Sequence, residues 1–290
     1  MAASSLSLAS VAAMATPTVL SIAVDQLTLQ AAAGCYQMAV AYDPTNSQYY
    51  GGGGGNPTCN GIVWGATGSV LQNFIPINVD IRGVNYNSNT GRIETLGYGS
   101  ASGYGSAAGY GGLRQMGLNG SGLYTGANSL LLAQLSGITD DQSVAAYDAV
   151  RDVFYSTANQ SPTVRIASHS TGLAVGSITL TGHSLSNVML DAIGYDAVND
   201  VLVEYDYAAN QALVFGIGGA FIGASQLSGS GYDHNYAMSY TNGMLFVGKG
   251  SGGGYEGFRI LEAGSKVPEP TSSALVLLAL GAGVAVRRRR

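Results

Sequence analysis

Ile193-Gly194-Tyr195-Asp196, a turn, Val201-Leu202-Val203-Glu204-Tyr205, a second turn, then Leu213-Val214-Phe215 and a turn glycine at Gly219 decide the fold of this chain. The apolar runs are too short for helices, and turn residues bound them, so they read as consecutive antiparallel strands. The opening recurs five times, as an apolar or small residue, an aromatic, usually Asp or Asn, a turn and a second strand. The other copies are Val40-Ala41-Tyr42-Asp43, Val84-Asn85-Tyr86-Asn87, Ala145-Ala146-Tyr147-Asp148 and Met238-Ser239-Tyr240-Thr241. Their second strands are Tyr49-Tyr50, Arg92 to Leu96, Val153-Phe154-Tyr155 and Met244 to Val247, and the tyrosines are spaced 44, 61, 48 and 45 residues apart.

The third run and its glycine recur as well. Ile62-Val63-Trp64 precedes Gly68, Leu113 to Leu118 precedes Gly122, and Val164-Arg165-Ile166 precedes Gly172. From tyrosine to glycine the intervals are 26 (42 to 68), 36 (86 to 122), 25 (147 to 172) and 24 (195 to 219). The long interval contains Gly-Tyr hexads at Tyr98, Tyr104 and Tyr110, which read as an insertion within 97–112.

The fifth unit runs from Tyr240 through Phe258-Arg259-Ile260-Leu261 to Gly264, and no fourth strand follows it. Val19-Leu20-Ser21-Ile22-Ala23-Val24 is an apolar strand without a unit of its own. An N-terminal strand that completes the last sheet removes the unpaired edge, and four-stranded units of this length fit propeller blades. The chain is therefore expected to be all-β, a five-bladed β-propeller over 18–265 closed by its N-terminal strand. A β-sandwich or an irregular solenoid gives similar strands, but neither gives a constant Tyr-to-Gly interval so naturally. The Gly-His and Trp-Asp pairs of WD repeats and the kelch double glycine do not recur. The units resemble, loosely, those of bacterial quinoprotein-like and NHL-like propellers.

Composition agrees with short strands and tight turns, since only 10% of residues are charged while Gly numbers 43 and Tyr 18. The formal charge of −5 includes the terminal Arg287, Arg288, Arg289 and Arg290; up to Lys266 there are 16 acidic and 8 basic residues. An acidic body with scattered cations has no footprint for nucleic acid. Cys35 and Cys59 either close a disulfide, which an exported chain permits, or stay unpaired. No Cys/His cluster points to a metal, and no cofactor is expected.

The last residues form a separate signal. Val267-Pro268-Glu269-Pro270 is extended and accessible, because its prolines block helix and sheet hydrogen bonding. An uncharged run from Ser273 to Val286 follows, expected as a single transmembrane helix over 272–286, and the Arg287–Arg290 cluster would stay cytoplasmic. The run is shorter than the roughly 20 residues of a comfortable span, which suits a temporary anchor. The segment 266–290 resembles the PEP-CTERM sorting signal of Gram-negative bacteria. That resemblance implies recognition near Pro268, Glu269 and Pro270 by an exosortase, transient residence in the inner membrane, and delivery to the cell surface or extracellular matrix, often beside exopolysaccharide. Residues 1–17 read as a degenerate or truncated signal region, with Ala13-Met14-Ala15 as a small-x-small site.

Catalytic signatures are weak. His169, His183 and His234 fall at different positions in their units and read as loop or surface residues, and no serine has a nucleophile elbow. Asp43, Asp148 and Asp196 read as turn caps rather than calcium ligands. Asp140-Asp141 lies on a connecting loop and matches no calcium-loop pattern. The hexad tyrosines offer flat faces for stacking, or form a plain low-complexity insertion. The expected role is a non-catalytic binding or structural propeller, with exopolysaccharide as a candidate partner. The alternative is a propeller lyase or hydrolase acting on glycans, which requires Arg82, Arg114, His169, His183 and Asp233 to converge in one pocket.

Overall fold

The structure, a computed structural model, describes residues 16–31, 36–55, 61–101, 111–249 and 253–262. Cys35, Cys59, Tyr104, Tyr110, Gly264, the sorting residues Pro268–Pro270, the helix expected over 272–286, the arginine cluster and residues 1–15 lie outside them. Among the described residues there are strands and turns but no helix, so none is long and apolar enough to cross a membrane.

Twenty strands build five units. Unit I comprises β2 (Tyr36–Asp43), β3 (Gln48–Gly54), β4 (Gly61–Gly65) and β5 (Val70–Ile75). Unit II comprises β6 (Ile81–Asn87), β7 (Arg92–Gly97), β8 (Gly112–Leu118) and β9 (Tyr124–Leu132), and unit III β10 (Ala146–Asp148), β11 (Val153–Ser156), β12 (Thr163–Ser168) and β13 (Ala174–Thr179). Unit IV comprises β14 (Gly194–Asp196), β15 (Val201–Asp206), β16 (Gln211–Gly216) and β17 (Phe221–Gln226). Unit V contains β18 (Met238–Thr241), β19 (Met244–Gly248) and β20 (Tyr255–Leu261), and its fourth strand is β1 (Val19–Leu29) from the other end of the chain.

The closing strand expected from the sequence therefore pairs where the fifth unit lacks a strand. It is longer than the apolar run, and it runs antiparallel to β20 from Val19↔Leu261 to Leu29↔Tyr255. Ile22 also pairs in parallel with Gln226 on β17, which merges units IV and V into one eight-stranded sheet beside three four-stranded ones. The inner strands β2, β6, β10, β14 and β18 touch in sequence, and β18 returns to β2, so the units form a closed propeller-like ring. At that last seam Ser239 Oγ accepts from Val40 N at 2.9 Å and Thr241 Oγ1 from Tyr42 N at 3.0 Å, satisfying inner-edge amides that no ladder pairs.

The core is the set of layers between adjacent sheets. Tyr49, Trp64, Phe246 and Tyr255 pack between units V and I, whereas Tyr50, Val63, Ile81 and Tyr124 pack between I and II. Adjacent residues such as Tyr49 and Tyr50 thus serve opposite layers, as period-2 strands dictate. Strands buried on both faces read as continuous apolar runs, which is why these segments stand out in the sequence.

Between units the same clamp repeats at the turn glycines. Gly68 O accepts from Gln30 N, Gly172 O from Gly137 N and Gly219 O from Thr181 N, at 2.8–2.9 Å. All three glycines have φ between +71° and +89°. A Cβ on any of them would come within 3.0 Å of a backbone carbonyl of the preceding unit, at Thr28, Gln134 and Thr179 respectively. Gly122 makes its contact with side chains instead: its carbonyl accepts from Tyr50 Oη at 2.7 Å. The constant interval thus measures the distance from inner strand to inter-unit seam.

Candidate functional site

The first turn of each unit orients the repeat tyrosine. Asp43 Oδ1 accepts from Thr45 N at 2.7 Å, Asn87 Oδ1 from Asn89 N at 3.0 Å, Asp148 Oδ1 from Val150 N at 2.9 Å and Asp196 Oδ1 from Val198 N at 2.9 Å. These carboxylates and amides cap their own turns, as expected. Five residues beyond the tyrosine each of these four turns reaches the left-handed region, at Ser47, Gly91, Asp152 and Asp200; unit V uses a two-residue Asn242-Gly243 turn with both φ positive.

Because the inner strands converge on one axis, Tyr42, Tyr86, Tyr147, Tyr195 and Tyr240 ring a central pocket of 380 Å³. Three of their hydroxyls donate to turn carboxylates: Tyr147 to Asp152 at 2.8 Å, Tyr195 to Asp200 at 2.9 Å and Tyr240 to Asp196 at 3.1 Å. Burial and these carboxylates push all three phenols up, so they remain neutral. Among the described residues Asp196 is the only charged one in the lining, and its carboxylate is held by Val198 N, Asn199 Nδ2 and Tyr240 Oη. Asn85 also lines the pocket, and its buried Nδ2 donor has no partner among the described residues. The pocket is aromatic, carries a single carboxylate and is equipped for hydrogen bonding. A groove of 310 Å³ continues from it between units IV and V, past Asn242 and Arg259 to Leu261 and Glu262.

Around this rim two ionic latches join the units. Arg151 grips Asp200 through both Nη atoms, at 2.8 and 2.7 Å, and holds Asp148 at 2.7 Å. Burial raises the Asp148 carboxyl, but the bonds from Arg151, Tyr155 and the turn amides outweigh it and hold it below the usual range. His169 links buried Glu94 (Nε2–Oε2, 2.8 Å) in unit II to Asp152 (Nδ1–Oδ1, 3.0 Å) in its own unit. It lies in the turn after β12, the loop position expected from sequence, but is half-buried there, packed against the tilted rings of Tyr147 and Phe154. The bond to Glu94 raises its pKa against the opposing effect of burial, and Asp152 adds to the rise.

A raised histidine stabilises the fold fully below the unfolded value of 6.5, and the contribution is lost as pH climbs through the higher folded value. His169→Gln should therefore lose about 1.5–3 kcal/mol at pH 6 and progressively less toward pH 9. Denaturant titrations of both proteins across that range measure the difference, and a pH-independent gap would contradict the latch.

The residues required to converge for catalysis do not line the pocket. Arg114 bonds Asn128 and Gly111 O within unit II, His183 lies against Phe221 with Nδ1 on Ser184 O, and Asp233 caps the turn before β18 while accepting from Tyr36 Oη. Arg82 belongs to the opposite end of the ring, on Asp80 at 3.4 Å and over the Tyr98 ring at 5.1 Å. At that end Asp191 is pushed up to about 6 by burial and by Asp140. Among the described residues no group of three His, Cys, Asp or Glu side chains could hold a metal ion. Recurrence of the tyrosines was legible in the sequence, whereas their convergence and the Glu94–His169 pairing were not.

A chain with this ring and this tail is an exported protein with a propeller-like body. Residues 266–290 match the family model of the PEP-CTERM protein-sorting motif, a substrate signal for exosortase-type processing that implies export and a transient membrane anchor in Gram-negative bacteria. Among solved structures the body is similar to the glutaminyl cyclase of Myxococcus xanthus, at 9% identity and a TM-score of 0.53, covering 83% of this chain and 97% of that one. It is also similar to a gluconolactonase from Xanthomonas campestris, at 12% identity and a TM-score of 0.49, covering 81% and 88%. At 9% identity the likeness to the glutaminyl cyclase shows the fold alone. No curated protein matches the sequence.

Proposed function

We propose that this chain is a non-catalytic binding protein of the cell surface or extracellular matrix, a five-bladed propeller whose tyrosine-ringed pocket takes exopolysaccharide. The observation that carries the reading is the pocket itself: five tyrosines from equivalent strand positions around a cavity with one carboxylate and an amide donor that has no partner among the described residues. Tyrosine rings offer flat apolar faces to pyranose C–H surfaces, while amide and hydroxyl groups take up sugar hydroxyls. Processing of the tail by an exosortase would place the body where such polymers are secreted.

Capture of the cell's own envelope polysaccharides by the purified body tests this reading, and failure to retain any of them would refute it. Tyr42 and Tyr86 are the informative positions, because among the described residues their hydroxyls hold no turn carboxylate. Tyr86→Ala should weaken capture about 2- to 10-fold, from a ring contribution of roughly 0.5–1.5 kcal/mol, with Tyr42→Ala similar. Equal capture by all three proteins would move the site elsewhere.

One observation favours a propeller enzyme acting on glycans. The Asp191 carboxyl beside Asp140, raised to about 6, has the protonation a general acid needs near neutral pH. Release of reducing ends from envelope polysaccharide, abolished by Asp191→Asn, would support that reading over binding alone.

A further inference from the structure

We infer that, while the tail holds it, the body lies with its tyrosine face against the bilayer, so that lipid headgroups screen the pocket mouth until the sorting motif is processed. The last described residues fix where the tail departs. Leu261 and Glu262 form one end of the groove that runs into the pocket, beside Val198, Tyr240 and Asn242. Glu262 N donates to Thr18 O at 3.0 Å, which pins that exit to the start of β1. Only residues 263–272 separate Glu262 from the apolar run beginning at Ser273. Ten residues reach at most about 35 Å when fully extended. Strands of six residues make the ring about 20 Å deep, so turning the opposite face to the bilayer would use most of that reach merely to descend the outside of the ring.

Charge points the same way, independently of the tether. In the first turns, 44–47, 88–91, 149–152, 197–200 and 242–243, the charged residues are Arg151, Asp152 and Asp200, and each is in an ion pair. Two of these turns carry outward apolar tips, Val150 at 86% exposure and Val198 at 64%. Ahead of the inner strands the opposite end collects Asp80, Asp140, Asp141, Asp191 and Asp233 with Arg82, and the nearby Lys249 is already paired with Glu256. An anionic headgroup surface repels that end and tolerates the tyrosine face, whose tyrosine and valine side chains suit the interface.

The placement does not depend on what the pocket binds. The full chain, inserted into vesicles of phosphatidylethanolamine and phosphatidylglycerol, would carry a fluorescent amino acid at position 198 on the tyrosine face, at 208 on the opposite face, or at 22 on the outer edge of unit V. Val198, Ala208 and Ile22 are all exposed. A quencher attached to lipid headgroups should quench the dye at 198 at least threefold more than either other dye, and cleavage of the tail should abolish the difference. Strongest quenching at 208, strongest quenching at 22, or equal quenching at all three would each overturn the placement. Failure of the cleaved body to capture polysaccharide would instead count against the binding reading and leave the quenching pattern untouched.

Discussion

Gly219→Ala is expected to destabilise the body by about 2–5 kcal/mol. Two costs add. The residue has φ +89°, where a Cβ costs roughly 1–2 kcal/mol. The new methyl would also fall within 3.0 Å of the Thr179 carbonyl, and overpacking of this kind costs about 1–3 kcal/mol. Relief by movement would break the seam itself, because Gly219 O accepts from Thr181 N while Phe221 N donates back to Thr181 O. Gly243→Ala is the control, with φ +72° but nothing within 4 Å of its Cβ, so only the first cost applies. Thermal unfolding should separate the two, with Gly219→Ala falling by roughly 5–15 °C and Gly243→Ala by a few degrees. Equal losses would mean that the glycine interval in the repeat records turn conformation only, and not the approach of one sheet to the next.

That distinction bears on what the sequence can show. The repeat was legible because the second strands, among them Tyr49-Tyr50, Val201-Leu202-Val203 and Leu245-Phe246-Val247, are buried on both faces and so are apolar at most positions. The closing strand was legible by subtraction, since a unit lacked a strand and a strand lacked a unit. Its length was not, because from Asp25 onward β1 is the outer strand of its unit and its exposed positions are polar. The merger of units IV and V was hidden too, resting on one pair, Ile22↔Gln226, between residues 204 positions apart. The same limit applies to the site. Recurrence tells that five tyrosines are equivalent, but a common axis exists only once the ring has closed. Hexad tyrosines attracted attention as a stacking surface because they are consecutive, yet the ring that lines a cavity is assembled from residues 44–61 positions apart.

Glu204→Gln should raise the stability of the body at pH 7 by about 1–3 kcal/mol, because a side chain that is always neutral removes the cost of taking up a proton on folding. Glu204 lies in the middle of β15, 1% exposed, and its Oε2 has no partner among the described residues. Strand alternation places it on the same face as Leu202, in the apolar layer between units III and IV. Burial alone pushes its carboxyl well above the ordinary range. The folded chain therefore retains a proton that the unfolded chain releases once pH passes about 4.5, so stability is greatest below that value and declines as pH rises toward the folded one. His169 produces a decline of the same sign from a different origin, so one pH profile cannot apportion the two. Substitution can: Glu204→Gln should flatten the profile by lifting its neutral limb, whereas His169→Gln should flatten it by lowering its acid limb. Denaturant titrations from pH 5 to 8 on each variant read this directly. A Glu204→Gln profile parallel to the parent would mean that the carboxyl is ionised in the fold.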